Sequence, residues 1–144
     1  MALLCQTFVN RIPRMKKTEL RIGNIIKTDT LDIVEIFELR ENKARIKQEN
    51  GHISMIDYER LFGDEITTDW LETFGFVWSI QHQAYHKNRF EYVIDFYENH
   101  PQTNGNLAFL KKNHRNGETL IALKHVHELQ NLHFALTQTE LNAN

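Results

Sequence analysis

The dipeptide Asn50-Gly51 constrains the fold more than any other short segment of the chain. Both central residues of a type I′ hairpin loop have positive φ, a conformation that Asn and Gly adopt readily. Before the dipeptide, residues 44–47 alternate apolar and basic side chains, which is typical of a half-buried strand. After it, residues 53–55 have the composition of a returning strand. The sequence therefore predicts an antiparallel β-hairpin here.

Several further strand-like segments surround this hairpin in the first half of the chain. They are residues 20–27, residues 33–39 and a short strand that starts at Ile66. Between the hairpin and Ile66, residues 57–61 predict a helical turn or an irregular crossing. Short strands separated by tight turns favour a small SH3-like β-barrel over residues 18–66. Because so small a core contributes only a few kcal/mol, we expect the barrel to pack on the second half.

The second half, residues 67–144, predicts an antiparallel β-sheet between two helices. Thr68 is a favourable N-cap for the first helix, and Gly75 is favourable just after its end. The predicted strands cover residues 76–80, 90–97, 107–110 and 119–123. The last helix lies within residues 124–137, and a further helical turn is expected at 137–140. The predicted fold class is α+β: a small SH3-like β-barrel followed by an antiparallel β-sheet with two packed helices.

Composition and charge narrow the class of function. Residues 1–68 carry 11 basic and 11 acidic side chains, and residues 69–144 carry 6 and 8. Neither half is basic enough to bind nucleic acid by charge alone. No stretch approaches the roughly 18 consecutive apolar residues of a membrane-spanning helix. The single cysteine, Cys5, excludes a disulfide within the chain and fits a reducing compartment such as the cytoplasm.

Residues 1–17 are predicted to be an extension or a disordered segment. Residues 1–8 have no basic residue before their short apolar run and no small-residue cleavage site after it, so they do not predict a signal peptide. Met15 offers a second translation start. An alternative is that the first 14 residues form a short helix that docks on the domain.

Three histidines near the C-terminus are candidates for a metal site. On a helix, His125 and His127 would point about 200° apart and could not bind one ion, although they could converge if His125 belongs to the preceding strand. The favoured interpretation is a helix start that exposes His127 and Asn131, with a cationic His133 near the helix C-terminus. We therefore predict no metal and no cofactor, and we name His127 and Asn131 as candidate binding residues.

Patterns typical of catalysis are weak in this sequence. Neither serine lies in a glycine-flanked nucleophile elbow. Asp95 and Glu118 could meet across strands as in a nuclease, but exposed strand charges are the favoured interpretation. His82 and His86 indicate an exposed polar turn. The sequence therefore predicts a protein that is not an enzyme.

Two basic sets are the candidates for binding RNA or single-stranded DNA. The first lies along one predicted hairpin and comprises Arg40, Lys43, Arg45 and Lys47. The second lies at one predicted turn and comprises Lys111, Lys112 and Arg115. With an aromatic residue such as Phe37 nearby, the first set could bind single strands by stacking and charge. The alternative is that both sets are solvated surface charges.

Aromatic residues are predicted to lie mostly in the core of the second half. They are found at positions 70, 74, 76, 78, 90, 92, 96 and 109. In the strand at 90–97, Val93 and Tyr97 alternate with Tyr92 and Phe96, so both faces of that strand are apolar. If the helices cover one face only, the other is predicted to be a partner surface or a homodimer interface.

Two segments together resemble a known family. Residues 19–24 read ELRIGN and residues 125–137 read HVHELQNLHFALT, with TTDWLETFGF at 67–76 between them. These segments resemble small uncharacterised proteins encoded by phages, prophages and their bacterial hosts. The resemblance implies a phage-linked accessory protein in a bacterial cytoplasm, and it brings no catalytic residue.

The predicted function is therefore non-catalytic binding of a host macromolecule, either a protein or a ribonucleoprotein complex. Inhibition of a host defence complex, such as a CRISPR effector, is one concrete form of it. Binding of RNA or single-stranded DNA through the barrel face is the alternative. A metal-dependent nuclease is a third hypothesis.

Overall fold

The computed structural model describes residues 15–87 and 92–142. The chain forms two compact units that divide between Asp64 and Glu65, slightly before the predicted boundary after residue 66. The first unit contains a five-stranded antiparallel sheet, and the second contains another five-stranded antiparallel sheet and two α-helices. The fold is therefore α+β with a barrel-like sheet, as predicted. Residues 1–14 of the predicted extension lie outside the described residues.

The sheet of the first unit has the strand order β4-β3-β2-β1-β5. Its strands are β1 (Ile25–Thr28), β2 (Ile33–Leu39), β3 (Lys43–Gln48), β4 (Ile53–Asp57) and β5 (Leu61–Phe62). The first strand is shorter than predicted because Gly23, with φ of 93°, turns the backbone before it. The strand predicted to start at Ile66 is wrong, since β5 ends at Phe62. A 3-10 turn, Tyr58–Arg60, lies where a helical turn or irregular crossing was expected.

Alternate residues of β2 and β3 build the core of the first unit. Val34, Ile36, Ala44 and Ile46 are all buried, and the residues between them point to the outer face. Burial of one large aliphatic side chain stabilises a fold by roughly 1.5–3 kcal/mol. The apolar residues that alternate in the sequence thus form the inward face of the barrel-like sheet.

The β3–β4 hairpin forms where it was predicted but with a different loop. Gly51 has a positive φ of 88°, whereas Asn50 does not, so the loop is not type I′. The N–H of Gly51 donates to the carbonyl of Gln48, and the N–H of Gln48 donates to the carbonyl of His52. These bonds enclose a three-residue loop in which glycine takes the left-handed position at its end.

The sheet of the second unit has the strand order β10-β9-β8-β7-β6. Its elements are α1 (Thr68–Thr73), β6 (Val77–Ser79), β7 (Ala84–His86), β8 (Tyr92–His100), β9 (Gly105–Lys112), β10 (Thr119–Leu123) and α2 (Val126–Thr137). Strand β7 lies in the segment expected to be an exposed polar turn, so that prediction is wrong for residues 84–86. Ala84 is fully buried, and β7 pairs with β6 along its whole length.

Both helices begin at side-chain hydrogen bonds. The N-cap of α1 is Thr67, one residue before the predicted Thr68, and its hydroxyl accepts a hydrogen bond from the N–H of Trp70 at 3.1 Å. At the start of α2, the Glu128 carboxylate accepts the N–H of His125 at 2.8 Å. The further turn expected at 137–140 is wrong, because Gln138 takes a left-handed conformation that ends α2.

Neither α-helix of the described chain has the length and apolar character that crossing a membrane would require.

Candidate functional site

The outer face of β3 carries three residues of the first basic set, Lys43, Arg45 and Lys47, and Arg40 lies in the turn before the strand. Acidic side chains lie beside this set. Arg45 Nη1 is 3.5 Å from Glu38 Oε2, and Arg40 Nε is 3.1 Å from the other oxygen of the same carboxylate. Lys43 Nζ lies 3.8 Å from Asp57 Oδ1. The structure therefore brings this predicted set together, but its charge is largely compensated within the unit.

Lys47 is the last residue of the first basic set. Its cross-strand partners are one acidic and one apolar residue. It is paired across the sheet with Glu35 on β2 and with Ile53 on β4. Ile53, Met55 and Phe37 are exposed. This outer face is therefore a mixture of apolar side chains and compensated charges, which differs from the continuous basic track that a nucleic-acid backbone requires.

The second basic set converges on a buried carboxylate. Asp95 on β8 is 5% exposed, and its carboxylate lies 3.1 Å from Lys111 Nζ and 3.9 Å from Arg115 Nε. The Tyr97 hydroxyl donates a further hydrogen bond to it at 2.9 Å. The expectation that Asp95 is an exposed strand charge is wrong, because a buried carboxylate is stable only when cations and donors surround it.

This arrangement assigns Lys111 and Arg115 a structural partner, while Lys112 is exposed. A nuclease site would need a second carboxylate facing Asp95, and cations occupy the positions beside it instead. The condition for a partner surface or homodimer interface on β8, one uncovered face, is not met in the first half of the strand. Val93 and Tyr92, which point to opposite faces, are both buried.

Three aromatic rings lie next to the Asp95 cluster. The centroids of Tyr97, His100 and Phe109 are 5.6–5.8 Å apart, and each pair meets edge to face. Lys111 Nζ lies 5.7 Å from the centroid of the Phe109 ring, a favourable distance for a cation–π contact. These contacts hold the Tyr97 hydroxyl and the Lys111 ammonium beside Asp95, so the cluster is a structural network.

His133 is buried, in contrast to the expectation of a cationic residue at a helix end. Its side chain is 1% exposed, and its Nδ1 lies 2.5 Å from the Tyr92 hydroxyl. Burial, together with the nearby charge of Lys87, lowers the pKa of His133 to about 4, and Glu140 opposes this shift. The imidazole is therefore neutral at pH 7.

The same surroundings keep both members of the His133–Tyr92 hydrogen bond neutral. Burial raises the pKa of the Tyr92 hydroxyl, so the phenol keeps its proton. The neutral phenol and the neutral imidazole then share one hydrogen bond, and the tautomer of the ring decides which of them donates. Lys87 Nζ donates to the carbonyl of Phe74 at 2.6 Å, at the C-terminal end of α1, where a cation is favourable.

The other two C-terminal histidines lie at the start of α2. The rings of His125 and His127 stack with centroids 5.7 Å apart, and His127 is buried. The predicted exposure of His127 is therefore wrong, because the first turn of α2 directs it inward, whereas Asn131 is partly exposed. Among residues 15–87 and 92–142, no three His, Cys, Asp or Glu side chains are placed to hold a metal ion.

The edge strand β6 exposes apolar side chains on both of its faces, and the sequence did not predict this. Trp78 is 54% exposed, Val77 is similarly exposed, and Ile80 is 86% exposed just after the strand. The Trp78 ring contacts Tyr85 on β7 edge to face, with centroids 5.5 Å apart. From its spacing in the sequence, Trp78 was predicted to lie with the core aromatic residues. The shortness of β6 and the polar turn after it are the features of the sequence that could have indicated an edge position.

Comparisons of the chain with protein-family models, curated proteins and solved structures found no match. The resemblance of residues 19–24 and 125–137 to a phage-linked family thus stays a prediction, and the candidate surfaces are judged on their geometry.

Proposed function

We propose that this protein acts without catalysis, by binding a host protein through the edge strand β6 and the residue that follows it, where Trp78 and Ile80 are exposed and Val77 is exposed on the face opposite Trp78. The observation that carries the proposal is the exposure of Trp78 on an edge strand, beside two other exposed apolar side chains. Tryptophan is enriched among residues that dominate binding energy, because it buries a large rigid area in one contact. Below, these three residues are called the β6 surface.

The position of the β6 surface also favours a particular binding mode. Strand β6 is at the end of its sheet, so its outer N–H and C=O groups face away from β7. An extended segment of a partner can add to such an edge as a sixth strand, with backbone hydrogen bonds giving affinity. The segment we expect carries apolar side chains at alternate positions, one of which packs on the Trp78 ring.

The biological context of the proposal comes from the resemblance alone. Residues 19–24 and 125–137 are similar to segments of phage- and prophage-encoded proteins. We therefore place the activity in a bacterial cytoplasm and the partner among host proteins. A component of a host defence complex, such as a CRISPR effector, is one concrete form of that partner.

Nucleic-acid binding through the barrel face has less support. Binding of phosphates would have to separate Arg45 and Arg40 from Glu38, and Lys43 from Asp57. Each separation removes part of the gain from a phosphate contact, and no excess of basic charge replaces it.

The test compares Trp78→Ser with Leu31→Asn, a control that removes another exposed apolar side chain in the first unit. Tagged protein is exposed to lysate of a bacterial host after nuclease treatment, and a bound protein is identified and purified. We expect Trp78→Ser to weaken binding of that protein about 30-fold, as for a residue that contributes about 2 kcal/mol. Leu31→Asn should bind as the wild type does.

Two results would contradict the proposal. One is equal affinity of the wild type and Trp78→Ser for the purified partner. The other is binding that disappears with nuclease treatment and weakens in Arg45→Ala/Lys47→Ala, which would favour the nucleic-acid alternative.

A further inference from the structure

The hairpin formed by β6 and β7 brings two histidine rings together. The sequence indicated an exposed polar turn here, but the ring centroids of His82 and His86 are only 5.3 Å apart. Both residues are partly exposed, so an ion in solution can reach them. Imidazole nitrogen is a favourable ligand for divalent transition metals, Zn²⁺ among them. The pair is therefore a candidate site for such an ion.

Strand register explains why the two rings meet. Val77 on β6 lies opposite His86 on β7, so both side chains point to the same face of the sheet. Ser79 points to that face too, because it is two residues further along β6 than Val77. His82 belongs to the turn, and its Nδ1 lies 2.9 Å from Ser79 Oγ. This hydrogen bond holds the His82 ring over the face that carries His86.

The backbone of both histidines is held in place. The N–H of His82 donates to Ser79 Oγ at 3.2 Å, and its carbonyl accepts the N–H of Arg115 at 3.1 Å. The Arg115 guanidinium lies 3.9 Å from the Asp95 carboxylate, so its charge is compensated close to the turn. His86 belongs to β7, which pairs with β6 on one side and with β8 on the other. Ligands on a fixed backbone lose less conformational entropy when an ion binds.

The separation of the two rings matches the one that a tetrahedral ion requires. A Zn–N bond of about 2.1 Å and a ring radius of about 1.1 Å place the ion roughly 3.2 Å from each ring centroid. At the tetrahedral angle of about 109°, the two centroids are then about 5.2 Å apart, and the structure has 5.3 Å. The right angle of a square-planar Cu²⁺ site would require about 4.5 Å. The distance therefore favours Zn²⁺.

Ring orientation distinguishes this pair from the two histidines at the start of α2. The lone pair of an imidazole nitrogen lies in the plane of the ring, so a shared ion must lie where the two ring planes cross. The planes of His82 and His86 cross at 45°. The rings of His125 and His127 are stacked, with planes only 12° from parallel. Stacked rings cannot direct two lone pairs at one ion, whereas the tilted pair can.

We propose that His82 and His86 bind one Zn²⁺ ion, with Ser79 as the hydrogen-bond partner that orients His82. His82 binds through Nε2, because its Nδ1 is engaged by the Ser79 hydroxyl. In the bound form Nδ1–H donates to that hydroxyl, an arrangement typical of metal-binding histidines. Among the described residues no third His, Cys, Asp or Glu side chain is placed to join the pair. The other two positions of the ion are open to water or to a donor atom of a binding partner.

The test is isothermal titration calorimetry of the full chain with ZnCl₂, after bound metal has been removed with a chelator. We expect one ion per chain and a dissociation constant of about 100 µM or tighter. His82→Gln and His86→Gln should each weaken binding about tenfold or more, since each variant keeps one of two ligands. His114→Gln, which removes a partly exposed histidine beside Arg115, is the matched control and should bind as the wild type does. Thermal unfolding should show that all three variants remain folded.

A third substitution tests the orienting hydrogen bond. Ser79→Ala keeps both ligands and should weaken Zn²⁺ binding about tenfold, as is usual when the partner of a metal-binding histidine is removed. Wild-type affinity of Ser79→Ala would overturn the role of the hydroxyl.

Three results would overturn the zinc site itself. They are no heat of binding at about 1 mM ZnCl₂, equal affinity of the wild type and both single histidine variants, and binding of Cu²⁺ without Zn²⁺. Binding of Cu²⁺ alone would mean a different ion geometry, because Cu²⁺ binds most nitrogen sites more tightly than Zn²⁺. Trp78→Ser should bind Zn²⁺ normally, so the zinc site and the β6 surface are tested separately.

Discussion

Acidification from pH 7 to pH 4.5 should destabilise the second unit through His133. The ordinary pKa of this side chain, 6.5, applies to the unfolded chain, whereas burial lowers the folded-state pKa to about 4. Between these two values the unfolded state binds more protons than the folded state. The free energy of unfolding therefore falls as the pH falls from 7 to 4, and this contribution is fully present only above the unfolded pKa.

The magnitude follows from the two pKa values. The difference between 6.5 and about 4 corresponds to a total of about 3.4 kcal/mol, and the interval from pH 7 to pH 4.5 contains about 2.4 kcal/mol of it. The structural reason is the burial of the ring, whose Nδ1 is hydrogen-bonded to the Tyr92 hydroxyl. A second proton on the ring creates a buried cation and removes its one acceptor nitrogen.

The assay is urea unfolding at a series of pH values for the wild type and for His133→Leu, which has no titrating group at this position. Other groups titrate in both proteins, so the difference between the two pH profiles isolates His133. We expect the wild type to lose about 2.4 kcal/mol more than His133→Leu between pH 7 and pH 4.5.

His52→Gln, which removes an exposed histidine, is the matched control and should keep the wild-type profile. If His133→Leu is too unstable to measure, His133→Gln replaces it, since it also lacks a titrating group. Parallel pH profiles for the wild type and the His133 variant would refute the reasoning.

Two other substitutions test the fold. Asp95→Ala should lower the free energy of unfolding by about 3 kcal/mol, because it leaves the Lys111 ammonium without its buried partner. Asp95→Ala/Lys111→Met should recover part of that loss in urea unfolding at pH 7, and a double variant no more stable than the single one would contradict this account. Thr67→Ala should cost about 1 kcal/mol in the same assay, because it removes the N-cap of α1. Thr68→Ala should cost much less, and equal losses would mean that the cap is assigned to the wrong residue.

The barrel-like sheet was predictable because its burial follows a simple period. Val34 and Ile36 on β2 and Ala44 and Ile46 on β3 alternate with polar or exposed residues, and that alternation is visible in the sequence. Hairpin position was predictable for the same reason. Loop type was not, because the positive φ of Gly51 alone is compatible with more than one loop length.

Strand β7 was missed because its signal depends on tertiary contacts. Only Ala84 of its three residues is buried, and the neighbouring Gln83 and His82 have the composition of a turn. Without β7, the sequence cannot show that β6 is at an edge. Trp78 was consequently assigned to the core, although it is the largest exposed apolar side chain of that strand.

The predictions for two candidate polar residues were wrong because the side chains are buried, and burial changes which charge state and which partners are favourable. His133 and Asp95 are both buried polar residues, and a sequence pattern indicates that a residue is polar but not which partner makes its burial tolerable. For Asp95 the partner is Lys111 from the adjacent strand, and for His133 it is Tyr92, far away in the sequence. Such pairings depend on strand register and helix packing, which composition and spacing do not fix.

Strand order in the second sheet has a consequence for how the protein behaves in concentrated solution. Apolar edges terminate the sheet at both ends, and four spacings of about 4.8 Å separate them by roughly 19 Å. If β6 of one molecule met β10 of the next, the contact would repeat without closing, and ribbons would grow. The register shift between Thr119 and Ile121 opposes that route, because a bulged edge strand pairs poorly with a straight one. The irregular start of β10 thus protects the molecule against polymerisation.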